Sequence, residues 1–229
     1  YMTSIKSMGR LAIVFPSILS ILFSSTSIFG QWTDYGTWSS ISISKNISNN
    51  LEFASEAQTR LDYDASRLGS AFTNFTLSRK LSPYWKLSSA LRLGMSRTDE
   101  YALEPLRRIT VSAKYKRPLI SNLSASLRFL YQLKSDYRQT FRLSPALYYK
   151  VSKKLRLAIY SELFFKPSQE GFYQSDFRYR FMAKHKVSKR RWVSFGYQIE
   201  QQINTPDPWT QHVFICSYDL ELKRSNGKK

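Results

Sequence analysis

Apolar and polar residues alternate along most of this chain with a period of two. The segment ASLRFLYQLK (125–134) places Leu127 and Phe129 in the apolar set and Arg128 and Gln132 in the polar set. Successive side chains of a β-strand point to opposite faces, so the pattern predicts strands with one oily face and one charged face. The alternation predicts eleven such strands, at 37–46, 51–63, 70–80, 85–96, 107–116, 123–134, 140–151, 155–166, 175–186, 191–201 and 211–222.

The breaks between these segments are of two kinds. KVSKK (150–154) and KVSKR (186–190) are short and rich in Lys and Ser, and they predict tight turns. KPSQEGFYQSD (166–176) and QQINTPDPWTQ (201–211) are longer, and they predict loops. Consecutive strands joined by turns at one rim and by loops at the other form an up-and-down meander of hairpins.

A different kind of sequence precedes the first predicted strand. LAIVFPSILSILF (11–23) follows Lys6 and Arg10 and is long enough for a secretory signal but too short to span a bilayer as a helix. Cleavage is expected after Gly30 or Gln31; a short membrane anchor and a buried helix are the alternatives. The predicted organisation is a cleavable signal peptide at 1–30, a barrel at 31–223 and a basic tail at 224–229.

The charge of the chain is far from neutral. It has 35 Lys and Arg against 16 Asp and Glu, which gives a formal net charge of +19. Such an excess favours anionic partners, but export from the cytoplasm argues against nucleic acid. Cys216 is the single cysteine, which excludes an internal disulfide and a zinc site built from cysteines. No metal or phosphate-loop motif is present, so we expect no cofactor.

The direction of the oily face separates two classes of β protein. In a soluble barrel or sandwich it points inward, whereas in a membrane barrel it faces lipid and the charged set lines the lumen. The signal sequence favours the membrane barrel, as do strands longer than the roughly five or six residues that are usual. Lipid also requires closure, because unpaired backbone groups at an open edge cost several kcal/mol each. The predicted fold class is an all-β, transmembrane antiparallel up-and-down β-barrel.

The pattern does not fix the number of strands. Eleven segments are an odd number, whereas bacterial single-chain barrels have an even number of strands. Either QWTDYGTW (31–38) supplies part of another strand or one segment is a loop. We predict ten to twelve strands and prefer twelve. Aromatic residues near the strand ends suit a girdle at the two membrane interfaces: Tyr84, Trp85, Tyr115, Tyr148, Tyr149, Phe172, Tyr173, Trp192, Trp209 and Tyr218.

Several long stretches resemble a known family. They are DYGTWSSISISKNISNNLEFASEAQTRLD (34–62), RLGSAFTNFTLSRKLSPYWKLSSALRL (67–93), and YSELFF followed by FRYRFMAKHKVSKRRWVSFGYQIE. These stretches are similar to the domain of unknown function 2490 family of Gram-negative outer-membrane proteins. The more distinctive positions are the fixed charges of Glu56, Arg60, Arg142, Glu162 and Arg178. The resemblance covers about 34–222 and implies an outer-membrane barrel. It implies no assigned activity.

The polar set of the strands predicts a charged lumen. Its members are Glu52, Glu56, Arg60, Arg92, Arg128, Arg142, Arg156, Glu162, Arg178, Arg180 and Glu200. In a narrow barrel, Arg–carboxylate pairs can bridge the interior and make it a structural plug or scaffold. Basic residues outnumber acids in this set, however, so a narrow anion-preferring pore, or a site for a small anionic solute, is the second interpretation.

An enzymatic barrel is a further alternative, and a catalytic base would be its first requirement. His212 is the candidate, at the start of the last strand, because His185 falls in the apolar register next to a turn. No motif links His212 to acidic partners, so we expect no catalytic site. The expected partners are outer-membrane lipid including lipopolysaccharide and, as alternatives, another envelope protein or a small anionic solute.

Overall fold

The structure is a computed structural model that describes residues 32–97, 102–169, 171–205 and 208–223. The predicted signal peptide (1–30) and basic tail (224–229) lie outside these residues. The described part of the chain contains eleven strands: β1 Trp32–Asn46, β2 Leu51–Asp62, β3 Arg67–Lys80, β4 Trp85–Arg97, β5 Leu103–Ile120, β6 Leu123–Lys134, β7 Gln139–Lys150, β8 Leu155–Ser168, β9 Gly171–Ser188, β10 Arg191–Gln202 and β11 Trp209–Leu222.

The strands form one closed barrel in chain order. Each strand pairs with the next in antiparallel orientation, from β1–β2 to β10–β11. The circle closes where β11 lies beside β1. Closure leaves no open edge, so the backbone groups of every strand have a partner strand on both sides. The predicted all-β, up-and-down barrel is therefore confirmed.

The closing seam differs from the other strand pairs because it is parallel. Ten successive reversals of direction make β1 and β11 run the same way. Contacts across the seam keep a constant sequence offset: Gln211 donates a hydrogen bond to Asp34, 177 residues earlier, and the ring of His212 stacks on that of Tyr35. Parallel pairs are slightly less stable per residue than antiparallel pairs. The sequence pattern alone predicted antiparallel pairing throughout.

The strand count lies within the predicted range of ten to twelve, whereas the loop lengths differ from expectation. The described residues hold eleven strands rather than the preferred twelve, because WTDYGTW (32–38) forms the beginning of β1 and no separate strand. The predicted loop at 166–176 is mostly strand, since β8 continues to Ser168 and β9 begins at Gly171. The strands extend into the segments that looked like loops, and both rims carry short connections.

The two faces of the sheet have opposite chemistry. Ile109, Phe129 and Phe195 are 54%, 50% and 60% exposed and point outward, whereas Ser126 and Gln132 are buried on the inner face. An exterior of large apolar side chains around a polar lumen suits lipid and is the reverse of a soluble barrel. The soluble alternative is therefore wrong for this fold. In the described part of the chain, no helix is long and apolar enough to cross a bilayer.

The predicted aromatic girdle is correct only in part. Trp85 and Tyr115 lie on the outer face near the turn rim, with ring centroids 5.2 Å apart, and Tyr84 and Tyr149 are exposed there as well. The rings of Tyr148 and Trp192 instead point into the lumen. Tyr148 pairs with Ser124 across β6–β7, and Trp192 pairs with Asp219 across β10–β11, in the same alternation as the charged inner residues.

Candidate functional site

All eleven charged residues that the sequence assigns to the lumen lie on the inner face of the barrel. The strand registers align them as cross-strand partners or next-but-one neighbours: Glu56 lies opposite Asn74, Glu162 opposite Arg178, and Glu200 opposite Arg178 from the other side. The eleven divide between two levels of the lumen. Glu52 and Arg156 lie toward the turn rim, and Arg60, Arg142, Arg178 and Glu200 lie nearer the loop rim.

The inner face carries a layer of guanidinium groups and aromatic rings in the half of the barrel toward the loop rim. We call it the arginine layer and define it as Arg60, Arg92, Arg108, Arg142 and Arg178 with Trp38, Phe72 and Phe164. One half of the layer is formed by residues of strands β1 to β4. The Arg92 guanidinium carbon lies 3.7 Å from the centroid of the Phe72 ring, and that of Arg60 lies 5.0 Å from Phe72 and 3.8 Å from Trp38.

The other half of the layer continues the same alternation of cation and ring. The Arg178 guanidinium carbon lies 5.2 Å from the Trp38 ring centroid and 4.9 Å from that of Phe164. The Arg142 guanidinium carbon lies 4.4 Å from the Phe164 ring centroid. A cation over an aromatic face contributes about 0.5–2 kcal/mol, more when both groups are desolvated. The stacks therefore hold these arginines in fixed places across the lumen.

Arg178 is clamped by two carboxylates. Its Nη1 donates to Glu162 at 2.9 Å, and its Nη2 and Nε donate to one oxygen of Glu200 at 2.6 and 2.9 Å. Glu162 also accepts hydrogen bonds from Arg128 and Ser144. Both Arg178 and Glu162 are only 6% exposed. Buried ion pairs persist only where their remaining donors and acceptors are also satisfied, as they are here.

Four other arginines of this region are held by neutral amides. Arg92 donates to the Asn74 side chain at 2.7 Å, and Arg142 donates to that of Gln132 at 2.6 Å. Two further arginines repeat the pattern: Arg60 with Gln58 at 3.3 Å, and Arg180 with Gln198 at 2.6 and 2.8 Å. An amide oxygen orients a guanidinium group without cancelling its charge. Among the described residues, none of these four arginines forms a salt bridge.

Toward the turn rim, the lumen contains a cavity of about 610 Å³. We call it the vestibule and define it by Lys116, Tyr148, Arg156, Tyr160, Lys184 and Asp219, which line it. Lysines replace arginines as the main cations, and several have partners of their own. Lys184 pairs with Asp219 at 2.5 Å, and nearby Lys114 donates to the Tyr148 hydroxyl at 2.8 Å.

Trp192 carries most of the vestibule's cation–ring contacts. The guanidinium carbon of Arg156 lies 4.7 Å from its ring, and the ammonium groups of Lys184 and Lys186 lie 5.5 and 5.4 Å away. Arg156 is thus a vestibule residue and is not part of the arginine layer. Glu52, also toward the turn rim, pairs with Lys86 at 2.9 Å.

Sequence reasoning missed several residues of the lumen. Arg108 follows the same alternation as Thr110 and Lys114, and that spacing is sufficient to place it on the inner face. Trp38, Phe72 and Phe164 carried no such signal, because an apolar residue at a polar position looks like a break in the pattern. Their role depends on arginines from other strands, which only the closed barrel brings together.

The candidate catalytic base lies away from the lumen. His212 is on the outer face, where its Nδ1 is 2.5 Å from the Tyr197 hydroxyl and its ring stacks on Tyr35. Within the described residues, no group of three or more His, Cys, Asp or Glu side chains is arranged to hold a metal ion.

A closed barrel with an oily exterior and a charged lumen defines an integral outer-membrane β-barrel of the porin type. The chain matches the family described as "Protein of unknown function (DUF2490)" over residues 35–212, and it belongs to that family. The predicted family resemblance is thereby confirmed. No curated protein sequence matches the chain.

Solved structures with a similar fold are outer-membrane porins. The NanC porin is 12% identical with a TM-score of 0.56, and the alignment covers 82% of this chain and 98% of that one. A structure described as "KdgM porin in complex with disordered oligogalacturonate" is 15% identical with a TM-score of 0.50, covering 73% and 90%. At such low identity the likeness concerns the fold. Together with the lipid-suited exterior, the fold places this protein in the outer membrane.

Proposed function

We propose that this protein is a narrow, anion-preferring pore of the outer membrane, with the arginine layer as its constriction. The observation that carries the proposal is the way the arginines are held. Arg60, Arg92 and Arg142 are fixed by amides and aromatic rings and keep their charge, whereas Glu162 and Glu200 are both bonded to Arg178.

The electrostatic consequence follows from the confined geometry. Charges that face a narrow lumen with low-dielectric walls act over longer distances than charges in bulk water. A row of fixed, uncompensated guanidinium groups lowers the energy of an anion at that level and raises that of a cation. Rings of Arg or Lys are a common basis of anion selectivity in pores.

A structural relative supports anionic solutes as the transported class. The description of the KdgM structure states that this porin is in complex with an oligogalacturonate, which is an acidic saccharide. For this chain, the vestibule provides the matching chemistry on the way to the arginine layer. Lys116, Arg156 and Lys184 supply positive charge, and the Tyr148 and Tyr160 side chains supply aromatic surface and hydroxyl groups.

Reversal potentials in planar bilayers test the proposal directly. In a KCl gradient, we expect the wild-type protein to give a reversal potential of the sign for chloride preference. The double variant Arg60→Gln with Arg142→Gln removes two fixed charges from the layer and should bring the reversal potential close to zero.

A matched control removes two charges from elsewhere. Lys153→Gln with Lys154→Gln neutralises two exposed cations in a turn and should leave the reversal potential unchanged. Equal effects of the two double variants would contradict a selectivity filter in the layer. Heat-modifiable gel migration of each variant verifies that the barrel is folded.

A sealed structural barrel is the second candidate function. The stacks from Arg92 through Trp38 to Arg142 cross the lumen, and the Arg178 clamp braces them. A barrel sealed in this way would give no conductance across many insertions. A scaffold would in addition retain a stoichiometric envelope protein in a pull-down from mild detergent, whereas a pore would be recovered without one.

We also propose that anionic lipid contacts the turn rim. Lys153, Lys154 and Lys189 are exposed there, on the same rim as the outward rings of Trp85 and Tyr115. Cations next to an interfacial aromatic belt attract acidic headgroups, by about 1 kcal/mol for each residue near the surface. Flotation with vesicles of phosphatidylglycerol, with phosphatidylcholine vesicles as the reference, tests this, and lipopolysaccharide vesicles provide the third arm.

A further inference from the structure

Four buried N–H donors in the lumen have no acceptor. Among the described residues, the buried side-chain nitrogens without a hydrogen-bond partner are Trp38 Nε1 and the Nε atoms of Arg60, Arg108 and Arg142. All four belong to the arginine layer. An unpaired buried donor costs about 1–3 kcal/mol, so native proteins retain few of them. Their concentration in one layer indicates a site that is complete only with a ligand.

The residues that carry the four donors are neighbours in the layer. Trp38 and Arg60 are direct partners across β1–β2, and the guanidinium group stacks on the indole with its carbon 3.8 Å from the ring centroid. Arg108 lies close enough to interact electrostatically with both Arg60 and Arg142. Trp38 is 4% exposed, so its N–H is held within the layer and does not reach solvent at a rim.

The charges of the layer define the ligand as an anion. Arg92 repels Arg60, Arg108 and Arg142 at this level. The nearby carboxylates of Glu162 and Glu200 are already bonded to Arg178. A bound anion would relieve the repulsion among these cations and would also supply acceptors to the unpaired donors.

The number and the positive charge of the donors favour a carboxylate. An ionised carboxylate offers two oxygens with about four lone-pair sites, and planar guanidinium groups match it with parallel N–H bonds. We propose that the arginine layer is a saturable binding site for a carboxylate ligand, in which Trp38 Nε1 and the Nε atoms of Arg60, Arg108 and Arg142 donate to its oxygens. This inference rests on the proposed pore and names the ligand class of its constriction.

Galacturonate and galactose are suitable probes because a carboxylate replaces the primary alcohol between them. Isothermal titration of the detergent-solubilised full chain, in a buffer free of chloride, should give a saturable isotherm with galacturonate and none with galactose. Galacturonate should also block chloride current in the planar bilayer. A flat galacturonate titration would mean that water alone satisfies the donors, and it would overturn the site.

The variant Trp38→Phe isolates the indole N–H. It keeps an aromatic ring under Arg60 and changes no charge, so it should lower galacturonate affinity about tenfold, the effect of one hydrogen bond to a charged group. The matched control Trp85→Phe removes an indole from the outer face of the barrel and should leave the affinity unchanged. Wild-type affinity in Trp38→Phe would contradict the assignment, as would an equal loss in Trp85→Phe.

The two proposals can fail separately. Trp38→Phe leaves every charge in place, so the reversal potential should stay at its wild-type value while binding weakens. Chloride preference without galacturonate binding would overturn the site and leave the pore intact. Galacturonate binding that depends on Trp38 in a barrel without conductance would overturn the pore and leave the site intact.

Discussion

The arginine layer and the vestibule lie on the same inner face and are both rich in cations, yet they are built differently. The layer uses planar guanidinium groups that stack on Trp38, Phe72 and Phe164. The vestibule uses lysines around an open cavity of about 610 Å³. Guanidinium groups stack and make several fixed hydrogen bonds, whereas an ammonium group is a compact and strongly hydrated charge.

The two regions also differ in how their charges are balanced. In the vestibule Lys184 has Asp219, and on the facing wall Lys86 has Glu52, all side chains about one third exposed. In the layer the carboxylates converge on Arg178, and Arg60, Arg92 and Arg142 have amides. Compensated and hydrated charges contribute little to selectivity. Fixed, uncompensated positive charge is therefore concentrated at one level of the lumen, in the arginine layer.

The largest expected effect comes from opening the Arg178 clamp. Arg178→Gln leaves Glu162 and Glu200 without their main partner at a buried site, which should cost about 3–5 kcal/mol of unfolding free energy. Lys184→Gln in the vestibule breaks a partly exposed pair and should cost about 0–1 kcal/mol. Urea unfolding in lipid vesicles, followed by gel migration, measures both. Similar losses for the two variants would remove the energetic distinction between the regions.

Two glycines allow the tightness of packing in the arginine layer and beside the vestibule to be compared. Gly94 lies opposite Phe72, and a Cβ at this position would be 2.2 Å from the Ala71 carbonyl oxygen and 2.5 Å from the Phe72 Cβ. Gly94→Ala should therefore displace the Phe72 ring and cost about 1–3 kcal/mol.

Gly196 is the matched glycine beside the vestibule. There the nearest atom to an added Cβ is the Met182 sulfur, at the flexible end of a side chain, although the Phe181 carbonyl oxygen also lies at 2.7 Å. Because the sulfur can move away, we expect Gly196→Ala to cost less than Gly94→Ala in the same urea assay. The reverse order would show that the layer is no more tightly packed than the vestibule.

Selectivity should respond less to the vestibule than to the layer. Lys114→Gln with Lys116→Gln removes two charges from the wide region, where water and ions screen them. We expect lower conductance at low salt and a reversal potential that still indicates chloride preference. A reversal potential near zero in this variant would relocate the filter from the layer to the vestibule.

The smallest effect belongs to a charged pair outside both regions. Asp136 and Arg138 lie in the connection between β6 and β7, where the Arg138 Nε donates to Asp136 at 2.6 Å. This hydrogen bond lowers the pKa of the Asp136 carboxyl below its ordinary value. A lowered carboxyl pKa stabilises the fold above the ordinary value near 3.9 and loses that contribution as the pH falls through the folded pKa.

The pair is strongly exposed, so solvent screens it. Arg138→Gln should change the unfolding free energy by no more than about 0.5 kcal/mol at pH 7, and the difference from wild type should vanish toward pH 2. A larger change at neutral pH would mean that the loop rim contributes to stability in the same way as the layer.

Much of the architecture is readable from the sequence because alternation is a local property. The strands, their faces and the inward position of residues such as Arg60 and Glu162 follow from a period of two. The same rule places Tyr148 and Trp192 inside, but their closeness to the strand ends suggested the girdle instead. The position of a residue along its strand determines its depth in the membrane. Whether it falls on the odd or the even positions of the alternation determines whether it faces the lumen or the lipid.

The arrangement within the lumen was not predictable by the same means. The stack of Arg60 on Trp38 joins neighbouring strands, but the contact of Arg178 with Trp38 joins residues 140 positions apart and exists only after closure. Pairing across the lumen depends on barrel size and stagger, which alternation does not specify. Likewise, the choice of amides over carboxylates as partners for Arg92 and Arg142 became visible only with the registers known.

The parallel seam has a consequence for how the barrel assembles. Every other strand pair joins neighbours along the chain and can form as a local hairpin, but the seam joins positions 177 residues apart, such as Asp34 and Gln211. Such non-local contacts carry a loop-closure entropy that must be overcome before they add stability, and they slow folding. We therefore expect the pairing of β1 with β11 to be the rate-limiting step of insertion.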